Sequence, residues 1–359
     1  MSHGKATTGN FFEDFALGQT IDHPTPRTIN AGDLSLYTAL YGDRRPLHSS
    51  AEFARALGYE REAAHDLLTF HLVFGKTVGD ISRNAVANLG YADVRFVRPA
   101  FPGDTLRAES EVIGLREASS GSNGIVYVQT RGFNQRQEEL LRFKRWVLVN
   151  KREPSKSSGI KQVPILADSV PAGELPVPPC LDLSGFRTQT WATGGDALWE
   201  DYEVGEIIHH IDGMTLDDAD HTFATRLYQN TAKVHFNLHA MKDSRFGKRL
   251  IYGGHIISVA HALSFNGLNN VMTMAAWNSG AHANPCFAGD TIYAWTEVLD
   301  KDPMPDREAL GALRLRLVAV KDANPAQQEI PLKVDVDGVQ QYDPRVVLDL
   351  DYWGLIPRR

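Results

Sequence analysis

The stretch Tyr41–His48 contains an aspartate and a histidine five residues apart, Asp43 and His48, with a glycine and a proline in the same stretch. Glycine and proline favour a turn over a regular helix, and such a turn can direct both side chains toward one point. Both residue types suit proton exchange with water, because the environment can bring either pKa near the working pH. Hydration of a 2-enoyl thioester requires this chemistry, since one group takes a proton from water and another delivers a proton to Cα.

Taken alone, Asp43 and His48 are more often structural, the first as a turn cap and the second as a hydrogen-bonded surface histidine. A second copy of the pattern lies 187 positions later, where His235 matches His48 and Asn230 matches Asp43. Retention of a polar pair in both copies favours a functional site. An asparagine cannot act as a general base. In the second copy His235 would therefore transfer the proton, and Asn230 would position water or substrate through hydrogen bonds.

A pair of glycines follows in the second copy, within the stretch Ile251–Ile257 that opens a long apolar segment. Gly253 and Gly254, after Tyr252, would let a ligand approach the backbone at a helix start, where free N–H groups point outward. A thioester oxygen that gains negative charge in the transition state could be held there. A turn that needs glycine only for positive φ explains the pair equally well. The first copy has Ala64–Leu67 at this place, which predicts a poorer oxyanion site.

Both candidate sites belong to an internal repeat that runs through the whole chain. Three blocks of the first half recur in the same order in the second half, at an offset of 187 or 186 positions. The matching blocks are Phe12–Gly18 with Trp199–Gly205, Thr28–Asp33 with Thr215–Asp220, and Gly103–Val112 with Gly289–Val298. We interpret the chain as a tandem duplication, with an N-terminal domain over 1–150 and a C-terminal domain over 186–359. Residues 151–185 are predicted to be a linker rather than a long loop within one domain, because they are rich in Pro, Ser and Lys and lack sustained periodicity.

Each copy has the same predicted order of elements. A short strand comes first, and a helix then begins at Asn30 or at Asp217, both good N-cap residues. Longer apolar helices are predicted over Leu67–Val78 and His255–Gly267. Strands then close each copy, and they are predicted at Asp93–Phe96, Leu106–Leu115, Gly124–Arg131, Leu141–Val149 and Ala312–Val320. A long helix wrapped by a curled antiparallel sheet is the hotdog arrangement. The predicted class is therefore α+β, with two tandem hotdog domains that share one continuous sheet.

Composition and charge exclude several classes of protein. The 359 residues are 43% hydrophobic and 23% charged, which is typical of a globular chain. A formal net charge of −7 argues against bulk binding to nucleic acid or anionic lipid. Cys180 and Cys286 have neither disulfide nor metal-ligand spacing, which indicates a reducing compartment. No apolar run reaches the length of a membrane span, and Met1–Asn10 does not resemble a signal peptide. We expect a cytoplasmic protein without membrane or nucleic-acid partners.

The stretch Tyr37–His48 resembles the hydratase-2 signature of MaoC-like dehydratases, and the stretches Arg98–Thr105 and Asn284–Thr291 resemble a strand motif of the same family. Over nearly its whole length the chain is similar to one branch, the mesaconyl-CoA hydratases, also called 2-methylfumaryl-CoA hydratases or β-methylmalyl-CoA dehydratases. This resemblance rests on the stretches Gly9–Asp14, Val73–Val78, Ala87–Tyr91, Arg226–Asn237, Tyr252–Ser258 and Phe287–Trp295. Motifs of this length are specific for the branch.

The resemblance implies reversible hydration of mesaconyl-CoA to β-methylmalyl-CoA, with an acyl-CoA substrate and no metal or redox cofactor. It ranks His235 and Asn230 first as catalytic residues, because the stretch Arg226–Asn237 is the steadier one in the branch. Chemistry alone ranks Asp43 and His48 first. We expect one working site per chain, built around the second turn, with the first copy shaping the acyl pocket. A homo-oligomer is compatible with these features.

The free carboxylate of mesaconyl-CoA needs a cation in its pocket, preferably an arginine that binds it through two hydrogen bonds. Solvated surface charge is the alternative explanation for any cation near the two turns. The candidates there are Arg226, Lys233, Arg44 and Arg45. Candidates for a basic rim that binds the CoA phosphates are Arg245, Lys248 and Arg249.

Three other functions remain open at this stage. A general (R)-specific enoyl-CoA hydratase would act on straight acyl chains and would have an apolar tunnel. A hotdog thioesterase would use a carboxylate to attack the thioester carbonyl or to activate water there. A non-catalytic acyl-CoA-binding protein would show no turnover. A hydratase changes the enoyl absorbance without releasing CoA, so a thiol assay separates it from a thioesterase.

Overall fold

The first half of the chain forms five strands and four helices. This computed structural model describes residues 5–154, 156–304 and 306–359, so the first four residues of the predicted N-terminal domain lie outside the described part. The strands are β1 (Thr20–Thr28), β2 (Ala85–Phe96), β3 (Thr105–Glu117), β4 (Asn123–Phe133) and β5 (Glu139–Asn150). The helices are α1 (Ala31–Tyr41), α2 (Pro46–Ser49), α3 (Ala51–Ala56) and α4 (Asp66–Thr77).

The second half repeats this order after a short strand β6 (Lys161–Gln162) and a short helix α5 (Thr190–Thr193). Its helices are α6 (Asp218–Leu227), α7 (Lys233–Phe236), α8 (Leu238–Met241) and α9 (Gly253–Leu263). Its strands are β7 (Ile207–Thr215), β8 (Thr273–Ala281), β9 (Thr291–Asp302), β10 (Leu310–Lys321), β11 (Lys333–Val336), β12 (Val339–Tyr342) and β13 (Val346–Pro357). Strand β7 begins and ends 187 positions after β1, and α7 begins and ends 187 positions after α2, so the repeat in sequence is a repeat in structure.

The helix starts follow from the capping residues that the sequence predicts. The Asn30 side chain accepts the Asp33 N–H at 3.2 Å, and the Asp33 carboxylate accepts the Asn30 N–H at 2.9 Å, which forms a reciprocal capping box on α1. The Asp217 side chain accepts the Ala219 N–H at 2.7 Å at the start of α6. Both predicted helix starts are confirmed. These caps fix where α1 and α6, the helices that precede the two candidate turns, begin.

An eleven-stranded antiparallel sheet joins the two halves. Its order is β1, β3, β4, β5, β2, β8, β13, β10, β9 and β7, with β6 paired to β3. The halves meet where β2 pairs with β8, with Tyr91 opposite Gly280 and Val94 opposite Trp277. The predicted continuous sheet and the α+β double hotdog are confirmed. The predicted strands are also confirmed, although β2 begins at Ala85, eight residues before the prediction.

The two long helices α4 and α9 are buried over most of their length against this sheet. Helix α4 begins one residue before the prediction and continues into a π-helical turn, Val78–Ser82. Helix α9 begins at Gly253 and ends at Leu263, four residues short of the predicted end. Gly75 lets α4 approach the turn after α6, because a Cβ at Gly75 would lie 1.8 Å from the Tyr228 carbonyl oxygen. The interior of the first half therefore contacts the candidate turn of the second half.

The described residues of the segment 151–185 are irregular apart from β6 and one 3-10 turn, Ala172–Glu174. Val170 and Leu175 from this segment are buried in one apolar cluster with Phe53 from the first half and Leu355 from the second. The segment therefore packs against both halves. Among the described residues, the longest apolar helices fall short of what a bilayer crossing needs.

Candidate active site

A cavity of about 430 Å³ lies between the two halves. Its second-half wall includes Asn230, His235, Tyr252, Gly253 and His282. Its first-half wall includes Phe74, Val78, Ser82, Asn88, Tyr91 and Arg145. A cavity of this size that combines apolar walls with a few polar groups is typical of a small-molecule site. Four of the residues singled out in the sequence, Asn230, His235, Tyr252 and Gly253, meet at this cavity.

His235 lies in α7, a single helical turn, and its ring lines the cavity. The Nδ1 of His235 lies 2.8 Å from the Leu250 carbonyl oxygen, which can only accept, so Nδ1 carries the proton. The other nitrogen, Nε2, is therefore the basic one. Burial lowers the pKa of His235 to about 4, although the hydrogen bond to Leu250 opposes this shift. The imidazole is neutral near pH 7 and can accept a proton from water.

Asn230 is buried in the turn that joins α6 to α7. Its side-chain oxygen accepts the Ala232 N–H at 3.3 Å, which fixes the side chain across the turn. Its NH₂ group has no partner among the described residues and can donate to a ligand. The preceding residue, Gln229, has a φ of 55°, and the matching Gly42 has a φ of 59°. Gln229 therefore adopts the left-handed conformation that a glycine provides in the first copy, so the backbone of the turn is alike in both copies at this position.

Helix α9 begins with Gly253, which lines the cavity, and Gly254, which is buried and is not among the lining residues. Neither glycine has a positive φ, so the interpretation that the pair serves only a left-handed turn is wrong. Close packing requires them instead. A Cβ on Gly253 would lie 2.3 Å from the His282 ring, and a Cβ on Gly254 would lie 2.4 Å from the Tyr252 ring. No described residue accepts the N–H of either glycine, and Tyr252 provides no side-chain cap, so the helix presents free donors.

The first copy has a different environment around Asp43. The Asp43 carboxylate accepts the Arg45 N–H and Nη1–H, both at 2.8 Å, and lies 3.4 Å from the His65 Nε2. Burial opposes ionisation of Asp43, but the Arg45 guanidinium and then His65 hold its pKa well below its usual range. Asp43 is therefore a poor proton acceptor. The associated cavity is only about 10 Å³.

His48 lies in α2, one turn of helix, rather than in an irregular turn as predicted. Its Nδ1 lies 3.3 Å from the Ala63 carbonyl, which matches the bond from His235 to Leu250 in the second copy. Burial lowers the pKa of His48 to about 4, and the neighbouring His65 adds to this. No direct hydrogen bond joins Asp43 to His48, although both line the small first-copy cavity. The two side chains therefore border the same cavity, but this cavity is only about 10 Å³.

The helix start in the first copy is also closed. His65, which matches Tyr252, caps α4 by accepting the Leu67 N–H at 3.0 Å on its Nδ1. Asp66, which matches Gly253, accepts a hydrogen bond from the Met274 N–H at 2.9 Å. The side chains of His65 and Asp66 therefore occupy the space at the start of α4 that is open at the start of α9 in the second copy. The prediction of a poorer oxyanion site in the first copy is consistent with this capping.

A cluster of Asp43, His65 and His261 has ligand atoms within 4.8 Å of one another. Three such residues can hold a metal ion in other proteins. The Arg45 guanidinium, 2.8 Å from Asp43, already places a positive charge in this cluster. A divalent cation would be repelled at this distance. The cluster is therefore better explained as a buried ion-pair network.

The predicted carboxylate-binding cations Arg226 and Lys233 are exposed, and neither lines the cavity. Arg44 is exposed as well, and Arg45 is committed to Asp43. Of the predicted rim residues, Arg245 lines the cavity. Lys248 lies over the Phe287 ring at 4.1 Å, and Arg249 is paired with Asp218 at 2.7 Å.

Arg145 and His282 are among the polar residues of the cavity wall that sequence reasoning missed. Strand β5 carries Leu141, Phe143 and Val147 on its inward face, and Arg145 interrupts this apolar series. A charge on the inward face of a strand is a signal that could have been detected. His282 has a weaker signal, since it only precedes the motif Asn284–Thr291.

Comparisons with known proteins agree with this geometry. The family model for mesaconyl-CoA hydratase matches residues 3–329. A β-methylmalyl-CoA dehydratase from Chloroflexus aurantiacus is 55% identical over 99% of both chains. A mesaconyl-CoA hydratase from Cereibacter sphaeroides is 53% identical over 99% of this chain and 100% of the other.

Solved structures show the same likeness. A protein from Chloroflexus aurantiacus described as a MaoC domain dehydratase has a TM-score of 0.95 and 55% identity, over 99% of this chain and 100% of that one. A double hotdog protein from Mycobacterium tuberculosis has a TM-score of 0.78 over 98% and 99% of the two chains, and at 23% identity it supports the fold alone. With a family match over most of its length, the chain belongs to the mesaconyl-CoA hydratase family.

Proposed function

We propose that this protein catalyses the reversible hydration of mesaconyl-CoA (2-methylfumaryl-CoA) to β-methylmalyl-CoA, as a hydro-lyase, in the cavity of its second half. The observation that carries the proposal is that His235, neutral and with a basic Nε2, lies on the same cavity wall as Asn230 and the free helix start at Gly253. The names of the similar proteins support the substrate.

The proposed reaction adds one water across the double bond. The Nε2 of His235 accepts a proton from water while the oxygen bonds to Cβ, and the NH₂ group of Asn230 holds that oxygen in place. Electron density moves to the thioester oxygen, which the N–H of Gly253 at the cavity wall stabilises. The protonated His235 then returns its proton to Cα, which restores the neutral imidazole. The reverse sequence dehydrates the product.

The competing functions fit this cavity less well. No aspartate or glutamate lines it in the described part of the chain, so a thioesterase would lack its carboxylate. A straight-chain enoyl-CoA hydratase would need an apolar tunnel, but Arg145 and Asn88 lie in the first-half wall. A non-catalytic acyl-CoA-binding protein has no need for a neutral histidine with a basic Nε2 on the cavity wall. We place the activity in the cytoplasm, which the two free cysteines, Cys180 and Cys286, support.

The experiment is an assay of the purified full-length chain with mesaconyl-CoA. Enoyl-thioester absorbance and free thiol, detected with a DTNB-type reagent, are followed in parallel. Hydration predicts loss of absorbance to an equilibrium, a product heavier by one water, and no thiol release. Thiol release would identify a thioesterase instead. Binding without any turnover would identify an acyl-CoA-binding protein.

A further inference from the structure

Arg145 is a buried arginine in the cavity wall, only 1% exposed. No carboxylate of the described residues lies within 4.0 Å of it. Burial lowers its pKa to about 10, so it remains charged near neutral pH. A buried charge is costly unless it is paired, and a positive group without an anion is therefore unusual in a protein interior.

The guanidinium of Arg145 is held in place but has donors to spare. Its Nη1 donates to the Ser82 hydroxyl at 3.0 Å, and its Nη2 donates to the Thr77 hydroxyl at 2.8 Å. Its plane packs on Phe74, 4.4 Å from the ring centroid. The Nε–H is buried and has no hydrogen-bond partner among the described residues. A guanidinium has five donors, so this one is fixed in orientation while part of its fork remains free for an anion.

The first half contains a counterpart in which the anion is part of the protein. Arg45 donates through Nη2 to the Ser264 hydroxyl at 3.0 Å, and Ser264 matches Thr77 at the offset of 187. The Nη1 of Arg45 donates to the Asp43 carboxylate at 2.8 Å. In the second half the residue that matches Asp43 is the neutral Asn230. Arg145 thus rests on the equivalent hydroxyl without a protein carboxylate beside it.

The rest of the cavity wall adds no negative charge beside Arg145, because no aspartate or glutamate of the described residues lines it. Its titratable histidines, His235 and His282, have pKa values lowered to about 4 by burial and are neutral near pH 7. Asn88, in the same wall as Arg145, has both polar atoms of its amide buried without partners. Polar groups of this kind usually face a ligand or ordered water when a site is occupied.

We propose that Arg145 binds the free carboxylate of the acyl group and makes the enzyme specific for CoA thioesters of dicarboxylic acids. The ligand carboxylate would take the place beside Arg145 that Asp43 takes beside Arg45. This inference rests on the proposed function for the reacting acyl group. Arg145 is a specificity-determining residue, and proton transfer remains with His235.

The experiment compares two saturated thioesters of equal chain length. Succinyl-CoA ends in a carboxylate where butyryl-CoA ends in a methyl group, and neither can be hydrated. Calorimetric titration of the wild-type chain near neutral pH should give tighter binding of succinyl-CoA by on the order of 100-fold, the effect expected for one buried charge pair. In Arg145→Met this preference should fall close to unity. The preference is a ratio measured on one preparation, so a partly inactive sample does not change it.

Arg142→Met is the matched control. Arg142 lies three residues earlier on β5 and pairs with Glu139 at 3.3 Å, with its side chain 41% exposed. This variant should keep the wild-type preference. Arg145→Lys should keep part of it, because an ammonium retains the charge but not the planar fork. If Arg145→Met does not fold, Arg145→Lys provides the test. An unchanged preference for succinyl-CoA in Arg145→Lys overturns the inference.

Equal binding of both thioesters by the wild type, or an unchanged preference in Arg145→Met, also overturns the inference. Failure of the wild type to hydrate mesaconyl-CoA would instead overturn the proposed function. The two results are independent, because the binding preference is measured on thioesters without a double bond.

Discussion

The two halves carry the same turn, and one residue in it accounts for much of their difference. Arg45 in the first half fills the space beside Asp43, where it donates to that carboxylate, to the His261 carbonyl at 3.0 Å and to Ser264. Ala232 matches Arg45 in the second half, and it lines the cavity of about 430 Å³. The Arg45 side chain therefore closes the site of the first half, whereas the methyl group of Ala232 leaves the cavity of the second half open.

The comparison shows that a complete acid–base pair in sequence need not border an open cavity. Asp43 and His48 have the residue types that chemistry favours, but Asp43 is fixed in an ion pair and the cavity beside it is about 10 Å³. Asn230 and His235 lack a carboxylate, yet they border open space and a free helix start. Accessibility and free donors, rather than the number of ionisable groups, distinguish the two copies.

The largest effect on activity is expected from removal of the second-half histidine. We expect His235→Ala to lower kcat/KM for mesaconyl-CoA by about 10³-fold, within the range of general acid–base catalysis. His48→Ala is the matched control at the equivalent position, and it should leave kcat/KM per folded molecule little changed. Steady-state kinetics on samples of known folded fraction test this pair. A larger loss in His48→Ala than in His235→Ala would reverse the comparison between the halves.

The pH dependence of kcat/KM tests the assignment of His235 as the proton acceptor. His235 must be unprotonated to accept a proton from water, and its pKa is lowered to about 4. We therefore expect kcat/KM to be flat around neutral pH and to fall about tenfold per pH unit only below about pH 4. Initial rates across pH test this, and an acid limb near the ordinary histidine value of about 6.5 would contradict it.

Folding stability must be followed in parallel, by circular dichroism at each pH. Several buried histidines, including His210 and His255, have pKa values lowered to about 4. The unfolded chain therefore binds more protons between about pH 6.5 and pH 4, so stability decreases as pH falls through this window. Comparison of the circular dichroism signal with the initial rate at each pH distinguishes loss of folded protein from protonation of His235.

The smallest effect on activity is expected at the first-half carboxylate. Asp43→Asn should leave kcat/KM close to that of the wild type, while the free energy of unfolding drops by about 3 kcal/mol because Arg45 is left as an unpaired buried charge. Adding Arg45→Met should restore much of the stability, since both charges are then absent. Urea unfolding with parallel activity assays tests both variants. An inactive but stable Asp43→Asn variant would assign catalysis to the first half.

Local sequence was sufficient to predict much of the fold. The helix starts at Asn30 and Asp217 follow from capping, which involves only neighbouring residues. The repeat offset of 187 positions gave the order of elements in both halves, and the alternation of residues over Ala312–Val320 placed β10. Strand β2 was predicted too short because its first residues, including Val86 and Leu89, are exposed and do not alternate clearly.

The candidate site could be predicted only in part. His235, Asn230 and Gly253 were found because they recur or stand out at fixed spacing, and they border one cavity. Arg226 and Lys233 were chosen for closeness in sequence to the turn, but both side chains are exposed away from the cavity. Arg145 was missed because it lies 85 positions before Asn230 and meets the site only across the interface between the halves.

The sequence by itself determined that the chain is a duplicated α+β protein with two related turns, because repeats, caps and strand alternation can be read along the chain. The hydratase type followed from the resemblance of its motifs to a known family. The tertiary structure decided which turn is open. Arg45 closes the first site through contacts with His261 and Ser264, more than 200 residues away. Arg145 reaches the second site from the opposite half. Contacts at such separation depend on how the two halves pack, and no spacing along the chain encodes them.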